Sequence, residues 1–185
     1  MNVTLTVRDN LSLINPVLDQ TDELYRLIAD NRSHLDKHIS FTQNKDTRHK
    51  VKMFLREIAS FNIGGQKFNL LIHYDQQIIG LIGFHKIDRL HARAEIGYWI
   101  GEHFQGKGIM QDVIPKFLQY GFEALAVNKV ELLTLTKHER NIRLVEELGF
   151  KKEGILREHY FMHDSFRDAI LYSMLKSEFL SAIQK

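Results

Sequence analysis

The middle of this chain contains a strand, a glycine-bearing loop and a helix in direct succession. Residues 94–101 (Ala-Glu-Ile-Gly-Tyr-Trp-Ile-Gly) have the composition of a strand, and the loop that follows carries Gly106 and Gly108. From Ile109 onwards, apolar residues recur at helical spacing. A loop whose backbone N–H groups lie at a helix N-terminus is a ready anion site. The sequence therefore predicts that an anion, by preference a pyrophosphate, binds at this loop.

The overall composition limits the partners that this chain can have. Its 185 residues are 44% hydrophobic and 26% charged, with a net charge of +2. That charge is too small to indicate nucleic acid or a membrane surface, and no apolar run reaches the ~20 residues of a membrane span. The absence of cysteine excludes a disulfide scaffold and a cysteine nucleophile. We expect a cytoplasmic protein, because the N-terminus alternates like a strand and lacks a signal-peptide pattern.

Periodicity predicts an α/β (α+β) fold with a mixed, largely antiparallel central sheet flanked by helices. No linker, repeat or low-complexity segment interrupts residues 1–185, so we expect a single domain. The predicted order is β, α, α, β, β, β, α, β, α, β, β, with one βαβ crossover in the middle and a second short strand at Leu11–Ile14. The other predicted strands cover residues 3–7, 68–74, 77–85, 92–101, 130–136, 150–161 and 167–174.

Local signals mark the ends of several predicted helices. Asp19 or Thr21 is expected to cap the first helix at its N-terminus. Glycines are expected to end two others, at Gly64-Gly65 and at Gly149. Pro115 lies inside the helix that follows the glycine loop and should kink it or weaken one hydrogen bond.

Two other interpretations of the glycine loop stay open at this point. The spacing Gly101-x4-Gly106-Lys107 matches a P-loop except at its last position, where Gly108 replaces the Ser or Thr that holds Mg²⁺. Glu102 would also repel phosphate there, so a nucleoside triphosphatase fits poorly. The loop could instead be a plain strand-to-helix turn that needs glycine only for its backbone conformation.

The glycine loop resembles the acetyl-CoA pyrophosphate loop of the GNAT N-acetyltransferases. That family shows Gln/Arg-x-x-Gly-x-Gly/Ala after a strand, and residues 105–110 read Gln-Gly-Lys-Gly-Ile-Met, with Met110 in place of the final small residue. Further matching motifs follow at suitable spacing within residues 3–179: residues 94–100, Leu148-Gly-Phe150 with Glu153-Gly154, and Arg157-Glu-His-Tyr160 with Asp168 and Tyr172. The combination resembles the RimJ/RimL branch, whose members acetylate protein N-termini, notably those of ribosomal proteins.

The resemblance implies a GNAT fold, acetyl-CoA as cosubstrate, a protein N-terminus or small amine as acceptor, a homodimer and no metal. It also implies that the backbone of Tyr98, Trp99 and Ile100 holds the acetyl group and the pantetheine arm. The pyrophosphate would lie on the loop residues, which are Gln105, Gly106, Lys107, Gly108, Ile109 and Met110.

The resemblance implies direct attack of the amine on the thioester, without an acyl-enzyme. Glu95, three residues before Tyr98 in the strand, is the first candidate for the general base, directly or through a water. The alternatives for Glu95 are a surface carboxylate or an ion-pair partner of Arg93 or Arg89. His85, at the end of the preceding strand, is the second candidate, because histidine titrates near neutrality.

The residues expected beside the CoA sulfur depart from the family pattern. The family shows Asn-x-x-Ser after the strand, with Ser near the sulfur, and an ungapped count places His138-Glu-Arg-Asn141 there. Asn141 can donate a hydrogen bond to a thiolate but cannot give up a proton. Tyr98, Tyr160 or His138 could substitute as the acid.

Two alternatives to a protein N-terminal acetyltransferase stay open. One is a weak or inactive CoA- or peptide-binding module, and the other is an N-acetyltransferase for polyamines or antibiotics.

Two histidines, His34 and His38, have the i, i+4 spacing of metal ligands on a helix. Asp36 is the only evident third ligand nearby, and it points elsewhere on a helix. We therefore expect surface or substrate-groove residues at these positions rather than a metal site.

Overall fold

The computed structural model describes residues 3–37 and 45–183, which build one eight-stranded sheet with helices packed against it. The strands are β1 (Thr4–Arg8), β2 (Leu11–Ile14), β3 (Phe68–Tyr74), β4 (Gln77–Asp88), β5 (Arg93–Ile100), β6 (Lys129–Leu135), β7 (Lys151–Met162) and β8 (Ser165–Leu175). The helices are α1 (Thr21–Asp30), α2 (Arg32–Leu35), α3 (Arg48–Gly64), α4 (Ile109–Ala124), α5 (Glu139–Glu147) and α6 (Lys176–Ile183). No helix within these described ranges is long and apolar enough to cross a membrane.

The sheet is antiparallel everywhere except at one pair of neighbouring strands. Its order is β1-β2-β3-β4-β5-β6-β8-β7, and β5 and β6 run parallel because α4 carries the chain back between them. This arrangement confirms the predicted mixed sheet with a single βαβ crossover.

The parallel strands β5 and β6 separate after only four paired residues. Their pairing ends at Ile96 and Leu132. Beyond that point β5 stays paired with β4 up to Ile100, while β6 stays paired with β8 up to Leu135. A wedge-shaped gap therefore opens inside the sheet, next to the loop that leads into α4.

Helices cover the sheet on both faces, and the strand pattern explains why. Alternate residues of a strand point to opposite faces. Leu70 packs in the cluster that contains Phe117 of α4, whereas Leu71 packs in the cluster that contains Leu24 of α1. Because β3 is buried on both faces, its centre carries three consecutive apolar residues, Leu70, Leu71 and Ile72, rather than an alternating pattern. The gap between β5 and β6 thus lies between two layers of helices.

Two helices and one helix cap differ from the predictions. The short helix α2 and the last helix α6 were not predicted, because a single turn gives no period and Phe179 is the only buried residue of α6. The predicted caps of the first helix are wrong, since Gln20 takes the N-cap position. A 3₁₀ turn at Leu18–Gln20 precedes α1, and the Thr21 hydroxyl donates back to the Leu18 carbonyl.

Other local predictions are confirmed. The turn between β3 and β4 is formed by Asp75 and Gln76, both with positive φ, as expected for a two-residue hairpin. Gly149 follows the last turn of α5 with a φ of 86°. Helix α4 continues through Pro115, and the kink or weakened hydrogen bond expected there stays a prediction.

Candidate active site

A cavity of about 830 Å³ lies where β5 and β6 separate, and we call it the central cavity. Its walls include residues of the glycine loop, of the start of α5, and of α2 and α3. All the candidate site residues except Lys107 line this cavity. They are His85, Glu95, Tyr98, Trp99, Ile100, Gln105, Gly106, Gly108, Ile109, Met110, His138 and Asn141.

The glycine loop has the conformation of an anion site. Gly106 and Gly108 have φ values of 74° and 75°, and Gly108 is the N-cap of α4. A Cβ atom at either position would meet no protein atom within 4 Å, so the loop faces open space. Among the described residues, no backbone hydrogen bond outside the helices uses the N–H groups of residues 106–108. The N–H groups of the first helical turn also lack intrahelical partners. The loop therefore fits a phosphate group.

Two residues of the glycine loop, Lys107 and Met110, differ in their surroundings from the other loop residues. The Lys107 ammonium lies 5.4 Å from the centre of the Phe104 ring, away from the central cavity. Met110, which departs from the family motif, has a side chain that is 6% exposed and packs in the core of the sheet. The core thus accommodates the larger side chain.

The side chain of Gln105 is held from two sides. Its amide nitrogen lies 2.6 Å from Nε2 of His34, and its carbonyl oxygen accepts a hydrogen bond of 2.6 Å from Arg140. Nδ1 of His34 lies 3.5 Å from a carboxylate oxygen of Glu102. These contacts connect α2, the glycine loop and α5.

The carboxylate of Glu95 faces the central cavity and does not pair with the arginines suggested as its partners. Arg93 pairs with Asp88 at 3.2 Å, and Arg89 donates to the carbonyl of Gly65. The ion-pair interpretation of Glu95 is therefore wrong. Glu95 and Tyr160 both line the central cavity, and the pKa of the Tyr160 phenol is raised by burial and then by the negative charge of Glu95.

Tyr160 lines the central cavity and follows a bulge in β7. Leu156 pairs with Ala169 and Tyr160 pairs with Arg167, so three residues of β7 face one residue of β8. The N–H of Glu158, a residue with positive φ, donates to the Asp168 carboxylate at 2.8 Å and fixes the bulge. The sequence motif that joins residues 157–160 to Asp168 is thus a structural unit at the cavity wall.

His85 is the extra residue of a bulge in β4. Phe84 pairs with Ile96 and Lys86 pairs with Glu95, which leaves His85 without a residue opposite. Its imidazole packs on the backbone of Gly97, where a Cβ atom would collide with the ring. His85 is exposed to solvent but lies among the residues that line the central cavity. The pKa of His85 is lowered first by desolvation and then by the charge of Lys67.

The influence of Lys67 on His85 gives a prediction. In a Lys67→Met variant we expect the pKa of His85 to rise, because the ammonium charge that opposes imidazole protonation is removed. Titration of the histidine Cε1–H resonances by NMR measures this shift. Lys86→Met, a change next to His85 in the chain but outside the cavity, is the matched control and should leave that pKa unchanged. An equal shift in both variants would contradict the assignment.

Tyr98 and Asn141 meet across the gap between the strands. The Tyr98 hydroxyl donates a 2.6 Å hydrogen bond to the Asn141 side-chain oxygen. Burial raises the pKa of the Tyr98 phenol well above its usual range, so Tyr98 keeps its proton at neutral pH. Because this bond uses the oxygen of Asn141, its NH₂ group is left to donate to another acceptor.

Sequence reasoning missed one wall of the cavity, which we call the α3 wall. It consists of Phe54, Glu57 and Phe61 on α3, together with Lys45 and Lys67. The Lys45 ammonium lies 4.6 Å from the centre of the Phe54 ring, and that of Lys67 lies 4.4 Å from the centre of the Phe61 ring. The i, i+3, i+7 spacing of the α3 residues was the one signal available, and it is equally typical of a core helix.

The histidine pair is only partly described. His34 lines the central cavity, as expected of a substrate-groove residue, whereas His38 lies outside the described residues. Within residues 3–37 and 45–183, no group of three or more His, Cys, Asp or Glu is placed to hold a metal ion.

Comparison with known proteins identifies the family. Residues 10–151 match the family model described as an acetyltransferase (GNAT) domain. The putative ribosomal N-acetyltransferase YdaF of Bacillus subtilis (strain 168) is 31% identical over 183 residues, which cover 96% of this chain and 94% of that protein. The chain therefore belongs to the GNAT acetyltransferase family, and its RimJ/RimL resemblance is confirmed.

Solved structures agree with this assignment. The microcin C7 self-immunity acetyltransferase MccE, in complex with acetyl-CoA and AMP, superposes with a TM-score of 0.87 at 27% identity, covering 91% of this chain and 94% of that one. RimL, the ribosomal L7/L12 α-N-protein acetyltransferase in complex with coenzyme A, gives a TM-score of 0.91 at 18% identity over 95% and 99% of the two chains. The second likeness supports the fold.

Proposed function

We propose that this chain transfers the acetyl group of acetyl-CoA to the N-terminal α-amine of a ribosomal protein or another peptide. The observation that carries the proposal is the central cavity, in which an anion-binding loop and the carboxylate of Glu95 lie at the separation of β5 and β6. Relatives named as a putative ribosomal N-acetyltransferase and as a ribosomal-protein-serine acetyltransferase support the choice of acceptor. CoA fits the glycine loop because Gly106 and Gly108 face open space and their N–H groups donate to no backbone acceptor among residues 3–37 and 45–183.

In the proposed reaction, different residues of the cavity take part in different steps. The amine nitrogen attacks the thioester carbonyl carbon, the carbon–sulfur bond breaks, and the proton of the amine passes to Glu95, directly or through a water. The NH₂ group of Asn141, oriented by Tyr98, donates to the departing thiolate. An acyl-enzyme is unnecessary for this sequence of steps. In this scheme His85, kept neutral by its lowered pKa, is the second candidate base.

The acceptor class follows from proton chemistry and from charge. An α-amine with a pKa of about 7.8 is roughly one quarter neutral at pH 7.4, whereas a lysine amine with a pKa near 10.4 is only ~0.1% neutral. An α-amine therefore needs less help from a base. On the acceptor side, Glu57 and Glu95 are balanced by Lys45 and Lys67. The described residues thus do not form the anionic groove that a polyamine would favour.

Thiol release in the presence of acetyl-CoA and a panel of amines tests the proposal. Because the chain contains no cysteine, the thiol readout has no background from the protein. The panel compares peptides with an open α-amine, the same peptides with a blocked α-amine and an internal lysine, and spermidine. We expect release with the first set alone. A protein that binds acetyl-CoA but releases no thiol with any amine would be a CoA-binding module instead.

Asn141 gives a prediction on the departure of the thiolate. We expect Asn141→Ser, which restores the residue of the family motif, to change kcat by no more than about tenfold, because a thiolate leaves without much help from an acid. Asn141→Ala should reduce kcat further, because it removes the hydrogen bond to the sulfur and leaves the Tyr98 hydroxyl without its acceptor. Steady-state kinetics at saturating acetyl-CoA measure both effects.

Tyr98→Phe provides the matched control for the Asn141 variants. It removes the same hydrogen bond but keeps the amide of Asn141. If both residues act on the sulfur as a pair, the double variant should lose less than the product of the single losses. A wild type that releases no thiol, together with an active Asn141→Ser variant, would show that the missing acid disables this chain.

Three further expectations stay predictions: one domain over residues 1–185, a homodimer and a cytoplasmic location. Sedimentation velocity of the purified full chain measures the oligomeric state directly.

A further inference from the structure

We propose that Arg140 binds a phosphate group of acetyl-CoA, and that His34 is the positioning residue that holds Arg140 in place through Gln105. The inference rests on the proposed function and assigns parts of its cofactor site to α2 and α5.

The contacts around Gln105 form one chain of donors and acceptors. The amide NH₂ of Gln105 donates to Nε2 of His34, which therefore carries its proton on Nδ1, the atom 3.5 Å from Glu102. The oxygen of the same Gln105 amide, opposite its NH₂ group, accepts a 2.6 Å hydrogen bond from Arg140. Each member of the chain thus fixes the orientation of the next.

The charge of Arg140 is not balanced by the protein. The guanidinium is exposed at the mouth of the central cavity, and in the described part of the chain no ion pair includes it. Its side-chain partner is the neutral amide of Gln105. The nearby N–H groups of residues 106–108 are likewise unused by backbone acceptors. A planar cation and several N–H donors at one place match the chemistry of a phosphate.

Helix α2 supports the loop at two points. The side chain of Asn31, just before α2, accepts a 2.7 Å hydrogen bond from the N–H of Glu102, and His34 contacts Gln105. The long side chain of Arg140 would lose its fixed partner if Gln105 could rotate. His34 therefore influences cofactor binding without contacting the cofactor.

The experiment compares acetyl-CoA with S-acetyl-N-acetylcysteamine, a thioester that lacks every phosphate. We expect Arg140→Gln to raise the KM and the calorimetric Kd for acetyl-CoA by about tenfold to hundredfold, the loss expected for hydrogen bonds to a charged group, with a small change in kcat. The kcat/KM for the short thioester should stay unchanged. His34→Leu should act in the same direction, and His34→Gln, which keeps an acceptor for Gln105, should restore most of the affinity.

Controls and further arms separate the outcomes. Arg56→Gln, at an exposed position of α3 outside the cavity, should have no effect on either thioester. Comparison with 3′-dephospho-acetyl-CoA shows whether Arg140 binds the 3′-phosphate or the pyrophosphate. Equal losses with both thioesters, or unchanged affinity in folded Arg140→Gln, would overturn the proposal. Calorimetry keeps the test valid if no amine is acetylated, an outcome that would contradict the proposed function alone.

Discussion

A Gly108→Val variant is expected to lose affinity for acetyl-CoA by about hundredfold or more while remaining folded. Gly108 has a φ of 75°, and a side chain there would point into open space in front of the loop. The valine side chain would occupy the space proposed for the pyrophosphate and separate it from several N–H donors, each of which stabilises an anion by about 1.5–3 kcal/mol. Isothermal titration calorimetry measures the loss, and circular dichroism checks the fold.

Two further variants distinguish obstruction of the phosphate by the new side chain from strain in the backbone. Asn adopts positive φ more readily than valine, so Gly108→Asn should strain the backbone less but still obstruct the phosphate. Gly154→Val adds the same side chain on β7, where a Cβ atom also meets no atom within 4 Å, and should leave affinity unchanged. Wild-type affinity in a folded Gly108→Val protein would contradict the assignment of this loop.

A Glu95→Gln variant is expected to lower kcat by about 10²–10⁴-fold, the usual contribution of a positioned general base. The KM for acetyl-CoA should change much less, because Gln keeps the size of the side chain and the loop is untouched. The acidic limb of the pH–rate profile, which protonation of the base produces, should disappear in the variant. Stopped-flow or steady-state thiol release across the pH range measures both effects.

Glu57→Gln is the matched control, since Glu57 is a second carboxylate at the wall of the same cavity. It should change the KM for the acceptor more than it changes kcat. If Glu95→Gln retains the acidic limb, the base is another group, and His85→Gln becomes the variant to measure.

The parts of the fold that the sequence predicted are those with strong local signals. The hairpin turn at Asp75 and Gln76, the βαβ crossover and the helix end at Gly149 each depend on residues that are adjacent in the chain. Helix α6 was not predicted because only one of its residues, Phe179, is buried. Phe179 packs on Phe122 of α4. Such a contact depends on the tertiary structure and leaves no period in the sequence.

The candidate site was predicted where it coincides with a motif and missed where it depends on long-range contacts. The loop residues and Glu95 follow from one continuous segment. The bulge that places His85 against Gly97 depends on the register of two strands, which the sequence does not specify. Gln105 and His34 are 71 residues apart and sit on separate elements, so no spacing rule connects them.

The separation of β5 and β6 gives the sheet two edges in its interior. Beyond Ile96 and Leu132, the residues of β5 and β6 are no longer paired with each other. An outer edge of a sheet can pair with a strand of any other molecule, which leads to aggregation. These inner edges instead line the central cavity, whose other walls include residues of α3, α4 and α5. The edges created by the gap therefore lie inside the fold rather than at its outer rim, where strands of other molecules pair.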